Sequence, residues 1–598
     1  MARYRGIGFA KAWWLLAAIA WLVLFCWGRG GWAQAAGQHV RSRIPYAPES
    51  GHPGPAWFVN VAPQAGLTMR NVNGGTDNKP YIIETTGSGV AIIDYDHDGW
   101  PDILLLNGQT LAGESSAIAH PTNHLYRNNH DGTFSDVTAA AGLTGTGWAQ
   151  GACVGDYDND GYDDVFITYY GMNRLYHNER NGTFKEVAAP AGVSGNGKAW
   201  GTGCAFVDYD RDGKLDLMVA NYVDLDMDKL PKPGEGITCL WKGTPVMCGP
   251  RGLPFATNML YHNLGGGKFE DVSRSSGVTK TEGHYCFSVS TLDYNQDGWL
   301  DIYVACDSTP SILYRNNHDG TFTDVAADAN VAYDEDGREQ AGMGSTIGDY
   351  DGDGWPDIFK TNFSDDTSSL YLNHRDGTFT PSIFQAGLGL NTQYLGWGTM
   401  FLDLDNSGWP SILLVNGHVY PQVDTAQLGS TYREPRLLYQ NLGNAKFRDI
   451  SKEAGPGCTE PASSRGLAIA DLWNDGRISA VVNNIDATPM LLVNEARNAN
   501  HWLGVVMQGT RSNRDGIGAA VTVYAGTRHW TQEVRSGSSY ISSNDLRLHF
   551  GIGSATIVDG IEVWWPSGVR ERFTPKGVDR FVTLVEGGGE SISEKKAN

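Results

Sequence analysis

Residues 94–102 read Asp94-Tyr95-Asp96-His97-Asp98-Gly99-Trp100-Pro101-Asp102, a D-x-D-x-D-G-x-x-D frame that returns along the chain. It stands again at Asp156, Asp158, Asp160, Gly161 and Asp164; at Asp208, Asp210, Asp212, Gly213 and Asp216; at Asp293, Asn295, Asp297, Gly298 and Asp301; and at Asp349, Asp351, Asp353, Gly354 and Asp357. Two worn copies follow, Asp403, Asp405, Ser407, Gly408, Ser411 and Asp471, Trp473, Asp475, Gly476, Ser479. The flanks of the first copy, Val90 to Ile93 and Ile103 to Leu106, are strand-forming. Self-similarity of this kind sets the architecture and is read before any single element.

Two further markers keep step with the loops. A Leu-Tyr-x-Asn element starts at Leu125, Leu175, Leu260, Leu313, Leu370 and Leu438, with a worn seventh at Leu491 to Asn494. A Gly-Thr-Phe-x-Asp-Val type strand comes next, centred on Phe134, Phe184, Phe269, Phe322, Phe379 and Phe447. Its seventh copy stands at the front, where Phe58 to Ala62 and Ala65-Gly66-Leu67 match Phe134 to Val137 and Ala141-Gly142-Leu143. A last unit completed by the first strand closes a circle. Four short strands per unit and seven units predict an all-β chain folded as a seven-bladed β-propeller over residues 56–497.

Glycine supports this reading, with 76 of 598 residues, roughly twice the usual ~7%. Five residues before each loop stand Gly89, Gly151, Gly203, Ser288, Gly344, Gly398 and Gly466, where innermost strands would crowd an axis. One position earlier the repeats disagree: Ser88, Gln150, Thr202, Phe287, Met343, Trp397 and Arg465. Variation inside a strict repeat marks a candidate ligand site at the axial mouth, and Gln150, Trp397 and Arg465 are its candidate binding residues, with simple channel filling as the alternative.

Within each loop, positions one, three and five aim side-chain oxygens at one point, Gly at six permits the sharp turn, and Asp at nine closes the cage. Carboxylate oxygens without Cys or His select a hard cation, and a flexible oxygen cage suits Ca²⁺ better than octahedral Mg²⁺. The expected ligands are Asp94, Asp96, Asp98 and Asp102; Asp156, Asp158, Asp160 and Asp164; Asp208, Asp210, Asp212 and Asp216; Asp293, Asn295, Asp297 and Asp301; and Asp349, Asp351, Asp353 and Asp357, for about five Ca²⁺ ions. The worn loops lose carboxylates at position three or five and at nine, and read as acidic turns. A formal charge of −22, from 67 acidic and 45 basic residues, repels a nucleic-acid backbone and removes it from the partners.

Arg3, Arg5 and Lys11 precede an apolar run from Ala12 to Trp27, and Ala33-Gln34-Ala35 offers a small-x-small cleavage site, so residues 1–35 are expected to be a signal peptide and 36–55 a linker. The run is short of the ~20 residues that span a bilayer, an uncleaved anchor is the alternative, and no membrane span is expected in the mature chain. Export, whether to a periplasm, a cell surface or the medium, permits disulfides. Cys239 with Cys248 is the first candidate bridge, sharing one loop-like insertion; Cys286 and Cys306 face each other across a hairpin, as a bridge or as packed thiols.

The Asp loops and Phe-Gly-rich strands resemble the FG-GAP/VCBS repeats of integrin-α-like propellers. Residues 498–587 resemble the ASPIC/UnbV domain through Ser512-Asn513-Arg514-Asp515-Gly516-Ile517-Gly518-Ala519, Leu546-Arg547-Leu548-His549-Phe550-Gly551-Ile552-Gly553 and Val563-Trp564-Trp565-Pro566-Ser567-Gly568. The combination is similar to the cartilage acidic protein family and its bacterial relatives, a resemblance that implies secretion, calcium binding and extracellular interaction without a known reaction. Independently, β-prone runs at Trp502 to Met507, Ala520 to Tyr524, Arg547 to Phe550, Ile561 to Trp565 and Phe581 to Val585 predict a separate small β-sandwich, and 588–598 a disordered tail.

Two insertions break the spacing. Tyr222 to Thr257 carries Asp224, Asp226 and Asp228 without a following Gly, a solvated rim rather than a sixth cage, and Asn416 to Arg436 opens with Gly417-His418. The functional expectation is a calcium-stiffened extracellular protein that binds a protein or glycan partner. The alternative is an exported enzyme with an active site at the propeller axis and a transition metal as its candidate cofactor, although no G-x-S-x-G, H-E-x-x-H or Cys/His zinc spacing occurs. A structural cell-surface protein acting through its own oligomers is the third reading.

Overall fold

Each repeat folds as a four-stranded antiparallel meander. The first consists of Val90–Ile93, Asp102–Leu105, His124–Asn128 and Phe134–Asp136, the Asp loop being the hairpin between the first two strands. In this computed structural model, residues 54–592 are described, except 77, 112–117, 119 and 282. The expected signal peptide and all but the end of the linker lie outside that range. The innermost strand is buried at all four positions because a neighbouring unit covers each face.

Six more units follow, with innermost strands Trp148–Gly155, Ala199–Val207, Cys286–Leu292, Ser345–Gly348, Gly396–Leu402 and Ser464–Ala470. The last is completed by Phe58–Asn60, which pairs antiparallel with Met490–Asn494 in the register Phe58↔Asn494. The circle closes through two sets of contacts. The Asn of each Leu-Tyr-x-Asn element donates its Nδ2 to a backbone carbonyl in the preceding unit: Asn178 to Tyr95, Asn263 to Tyr157, Asn316 to Tyr209, Asn373 to Tyr294, Asn441 to Tyr350 and Asn494 to Leu404, at 2.8–2.9 Å. Asn128 closes the turn onto Leu472 at 2.9 Å. Nearer the axis, a Cβ on Gly151, Gly203 or Gly344 would strike the carbonyl of Thr202, Phe287 or Trp397 in the next unit, and one on Gly466 would meet Ser88. Glycine stands there because the next backbone does.

Residues 498–592 form two further sheets. Leu548–Gly553, His501–Gln508 and Arg580–Val585 make one, with the last pair parallel; Arg528–Glu533, Ala520–Ala525, Gly560–Trp564, Arg570–Phe573 and Glu590–Ser591 make the other. Leu503, Val505, Val521, Val523, Phe550 and Val563 pack between them. Two expectations change. The tail is not disordered from 588: Glu590–Ser591 pairs with Arg570–Phe573, ordered by Gly587 and Gly589, whose N–H groups donate to the buried Glu571 carboxylate. Residues 593–598 lie outside the description. Nor is the domain separate, since its core runs into that of the second and third units, where Ile517 approaches Gly155.

The segment Ser536 to Asn544 leaves this domain and enters the axial channel. Ser543 bridges in parallel to Ala91, Ser539 antiparallel to Ser345, and Ile541 O accepts from Ala152 N at 3.3 Å. Ser288, the one non-glycine of the inner ring, accepts from Ile541 N through its hydroxyl. Tyr540 packs on Trp397 at 4.7 Å and Phe287 at 5.4 Å and donates its hydroxyl to Thr86 O. The axial mouth proposed from sequence is therefore filled. Gln150 and Arg465 are 0% exposed and Trp397 3%; Arg465 stacks on Trp397 and donates to the carbonyls of Thr85, Gly417, Ser464 and His418. Of the three, Trp397 packs on the plug's Tyr540, Gln150 accepts from Thr86 Oγ1, and Arg465 ties Trp397 to the surrounding carbonyls.

The bridges Cys239–Cys248 and Cys286–Cys306 are present, the latter between residues directly opposed across their hairpin. A third, Cys153–Cys204, joins the innermost strands of the second and third units, and Cys458 remains a buried thiol. Its 51-residue separation and its position between blades gave it no local signature.

Candidate metal centres

Every Asp loop is shaped by its first carboxylate. In the first loop Asp94 accepts from Asp98 N at 3.0 Å and from Gly99 N at 2.9 Å, and the same two bonds fix Asp156, Asp293 and Asp349. Gly99 takes a φ of 87°, and its counterparts through Gly476 lie between 82° and 93°, a region costly for a side chain with Cβ. The ninth-position Asp opens the second strand. Asp102 accepts from Asn128 N at 2.7 Å and Tyr95 N at 3.2 Å, which turns its carboxylate back into the loop.

The loops thereby gather charge out of water. Asp102, Asp164, Asp216, Asp301 and Asp357 are at most 1% exposed. Carboxylate oxygens of Asp94, Asp96 and Asp102 lie within 4.8 Å of one another, as do those of Asp156, Asp158 and Asp160 and those of Asp208, Asp210 and Asp216. In the fourth loop the Asn295 amide instead donates to Asp297 at 2.7 Å. Burial, with neighbouring carboxylates adding to it, pushes Asp102 up to about 9 and Asp156, Asp208 and Asp293 to about 8. Asp301 and Asp357 are driven well up for the same reason. Asp96 Oδ1, Asp164 Oδ2 and Asp208 Oδ1 are buried and meet no donor among the described residues. Oxygens concentrated and desolvated in this way fit a hard cation.

An outer ring of bases was not read from sequence. The fifth-position carboxylates pair with His130 to Asp98 at 2.7 Å, Arg180 to Asp160 at 2.6 Å, His318 to Asp297 at 3.0 Å and Arg375 to Asp353 at 2.6 Å. Each base stands two residues after the stitching Asn, with positive φ, so the signal was present in the repeat; in the third unit Gly265 takes that place and Lys214 pairs with Asp212 instead. Trp100 and Trp299, at loop position seven, stack on His130 and His318. His177 and His262, one residue before the stitching Asn, also face their cages.

The worn loops keep the turn but lose the cage. Asp403 and Asp471 still accept from the glycine N–H, while Ser411 Oγ accepts from Asn441 N in place of a ninth carboxylate. The C-terminal domain sits on them: the indoles of Trp530 and Trp502 cover Gly408 and Gly476 where a Cβ would stand, and Arg547 donates to Asp471 O at 3.0 Å and Asn474 Oδ1 at 2.7 Å. It also meets intact loops, with Trp564 over Gly298 and Asp515 accepting from Asp156 N at 2.7 Å. Asp224, Asp226 and Asp228 of the first insertion are exposed, and Asp226 pairs with Lys229 at 2.6 Å. His418 is buried, accepts from Tyr420 N and contacts Ser364 Oγ at 3.2 Å; burial pushes it down to about 3, a structural role.

The FG-GAP-like repeat family matches residues 94–167, 156–219, 252–304, 293–360 and 349–414, and the ASPIC and UnbV family matches 509–591. Fold and loops together define an FG-GAP-repeat β-propeller carrying an ASPIC/UnbV domain. Cartilage acidic protein 1 of Mus musculus is 24% identical over 511 residues, 80% of this chain and 70% of that protein; the Homo sapiens protein is 24% identical over 516 residues, 80% and 69%. The chain belongs to the cartilage acidic protein-like family. Among solved structures, an Agrocybe aegerita lectin that recognises non-reducing terminal N-acetylglucosamine aligns with a TM-score of 0.36 at 15% identity, over 66% of this chain and 85% of that one. Trypanosoma rangeli sialidase aligns with a TM-score of 0.34 at 10% identity, over 74% and 60%.

Proposed function

We propose that the protein is an exported, calcium-loaded propeller that acts by binding an extracellular protein or glycan rather than by catalysis. The observation that carries the calcium reading is the set of ninth-position carboxylates, at most 1% exposed and turned toward the other acids of their loops. An uncompensated buried charge costs several kcal/mol, which a divalent ion offsets. All-oxygen donors on a hairpin that can adjust its bite favour Ca²⁺ among such ions. Three disulfides support an oxidising compartment, and no helix among the described residues is long and apolar enough to cross a membrane.

The C-terminal domain docks on the loop side and sends Ser536 to Asn544 along the axis, which supports the opposite end and the outer strands as the surface for a partner. There the two insertions meet, Lys242 pairing with Asp365 at 2.8 Å and donating to Leu428 O. Metal analysis of protein equilibrated with calcium as the sole divalent ion is expected to find calcium at about five equivalents. Screening against immobilised glycans and extracellular proteins is expected to find binding in millimolar calcium that a chelator abolishes. Calcium-free protein that melts identically with and without chelator would overturn the reading.

A further inference from the structure

Among the five intact loops, two offer more than oxygen. In the second, His177 Nδ1 lies 3.2 Å from Asp164 Oδ1 and 3.6 Å from Asp158 Oδ2. In the third, His262 Nδ1 lies 3.1 Å from Asp216 Oδ1 and 3.5 Å from Asp210 Oδ2. These spacings suit donor atoms sharing one coordination sphere; the donors of Asp158, Asp164 and His177 all fall within 4.8 Å of one another, as do those of Asp210, Asp212 and His262. Both rings are set by the same device: the position-two tyrosine, Tyr157 or Tyr209, meets the imidazole edge-on at 73°. Asp164, 0% exposed, turns an oxygen into its group that has no hydrogen-bond partner among the described residues, and Asp208, 2% exposed, does the same in the third loop. At the equivalent place the other units carry Arg127, Arg315, Leu372, Gln440 and Val493, none of which can supply a neutral nitrogen ligand.

We propose that the second and third loops are mixed nitrogen–oxygen sites for a borderline divalent cation of the zinc class, while the first, fourth and fifth remain oxygen-only sites for calcium. The inference rests on the reading of the loops as metal sites and divides them by donor chemistry. Imidazole is a poor ligand for Ca²⁺ and a good one for Zn²⁺, whose ordinary ligands are His nitrogen and Asp oxygen. His177 and Asp158 with Asp164, and His262 with Asp210 and Asp216, each present one nitrogen and two carboxylates, enough to anchor such an ion and leave a position for water.

The test is metal analysis of the full chain after equilibration with excess calcium and limiting Zn²⁺ followed by dialysis, on the natural protein and on H177Q/H262Q. Glutamine is the replacement because Gln440 already occupies that place in the sixth unit. The natural protein is expected to retain about two zinc and about three calcium ions, and the double variant to lose the zinc. Calcium at about five with no zinc would overturn this inference and leave the calcium reading standing. No retained metal of either kind would overturn both, and zinc kept equally by the variant would overturn the assignment to these histidines. X-ray absorption on the zinc-loaded natural protein needs no variant: one nitrogen per zinc near ~2.0 Å is expected, and an oxygen-only shell would also overturn the proposal.

Discussion

The five intact loops and the two worn ones share a hairpin and differ in what answers its buried first carboxylate. In the intact loops Asp94, Asp156, Asp208, Asp293 and Asp349 face other carboxylates, with a base at the outer, fifth position of each and, in the second and third loops, His177 and His262 reaching the third and ninth. At Asp471 the answer is built in: Arg547 of the docked domain lies beside it, its guanidinium also paired with Asp545 at 2.7 Å, and Arg477 holds Asp475 at 2.6 Å. At Asp403 the exposed Arg528 stands nearby, and serines have replaced the acids at positions five and nine. One backbone turn thus gathers buried carboxylates that could hold a metal ion in five units and seats another domain where those carboxylates are lost.

Metal removal is the largest perturbation this contrast predicts. Each ion held at 100-fold above its dissociation constant contributes about 2.7 kcal/mol, so stripping several should lower the melting temperature steeply and raise proteolysis of the intact loops first. A chelator titration followed by limited digestion checks this; preferential cutting at 403–411 or 471–479 would break the distinction. Next is Arg547→Ala, which leaves Asp471 and Asp545 under the docked domain without their cation and is expected to cost about 3–5 kcal/mol. Equal losses with calcium and with chelator, read from denaturant midpoints, would sharpen the contrast between a seat and a cage.

Acidity separates the two only in degree: burial raises Asp403 and Asp471 to about 7 as well, but the intact loops add a raised ninth-position acid, Asp102 reaching about 9. Asp102, Asp156, Asp208 and Asp293 have folded-state values raised far above the unfolded range near 4, so the metal-free native state binds more protons than the unfolded chain between about pH 4 and 9. Stability without metal should therefore fall as pH rises through that window. With saturating calcium the carboxylates are held ionised and the slope should flatten, as melting curves at pH 5 and 8 would read out. The smallest effect belongs to Arg528→Ala, expected at no more than about 1 kcal/mol because the side chain is exposed.

The loops and strands could be read from sequence because their determinants are local and repeated: Gly99 needs only its own turn, and Phe134 its own blade. The Asn ladder was visible as a motif, but not its direction, since Asn178 finds its acceptor on Tyr95 across a blade boundary. The axial residues misled for an instructive reason. Gln150, Trp397 and Arg465 vary among blades, as a ligand pocket would, yet Trp397 packs on the asymmetric plug while Gln150 and Arg465 are buried against Thr86 and the carbonyls around them. Ser536 to Asn544 has no periodicity to announce such a role. His177 and His262 hid in the variable position of a motif whose fixed positions drew the reading.

The closure of the ring also orders events in time. Trp57 N donates to Asn494 Oδ1 across 437 residues, and Phe58–Asn60 supplies the outer strand of the sheet that ends with Met490–Asn494. The earliest strand among the described residues must therefore wait for its partner strand until almost the whole propeller has been made. Only later still does Tyr540 arrive to stopper the hub. A nascent chain halted anywhere before residue 494 carries an open seam, a natural handle for a chaperone or a protease to judge whether the wheel is complete.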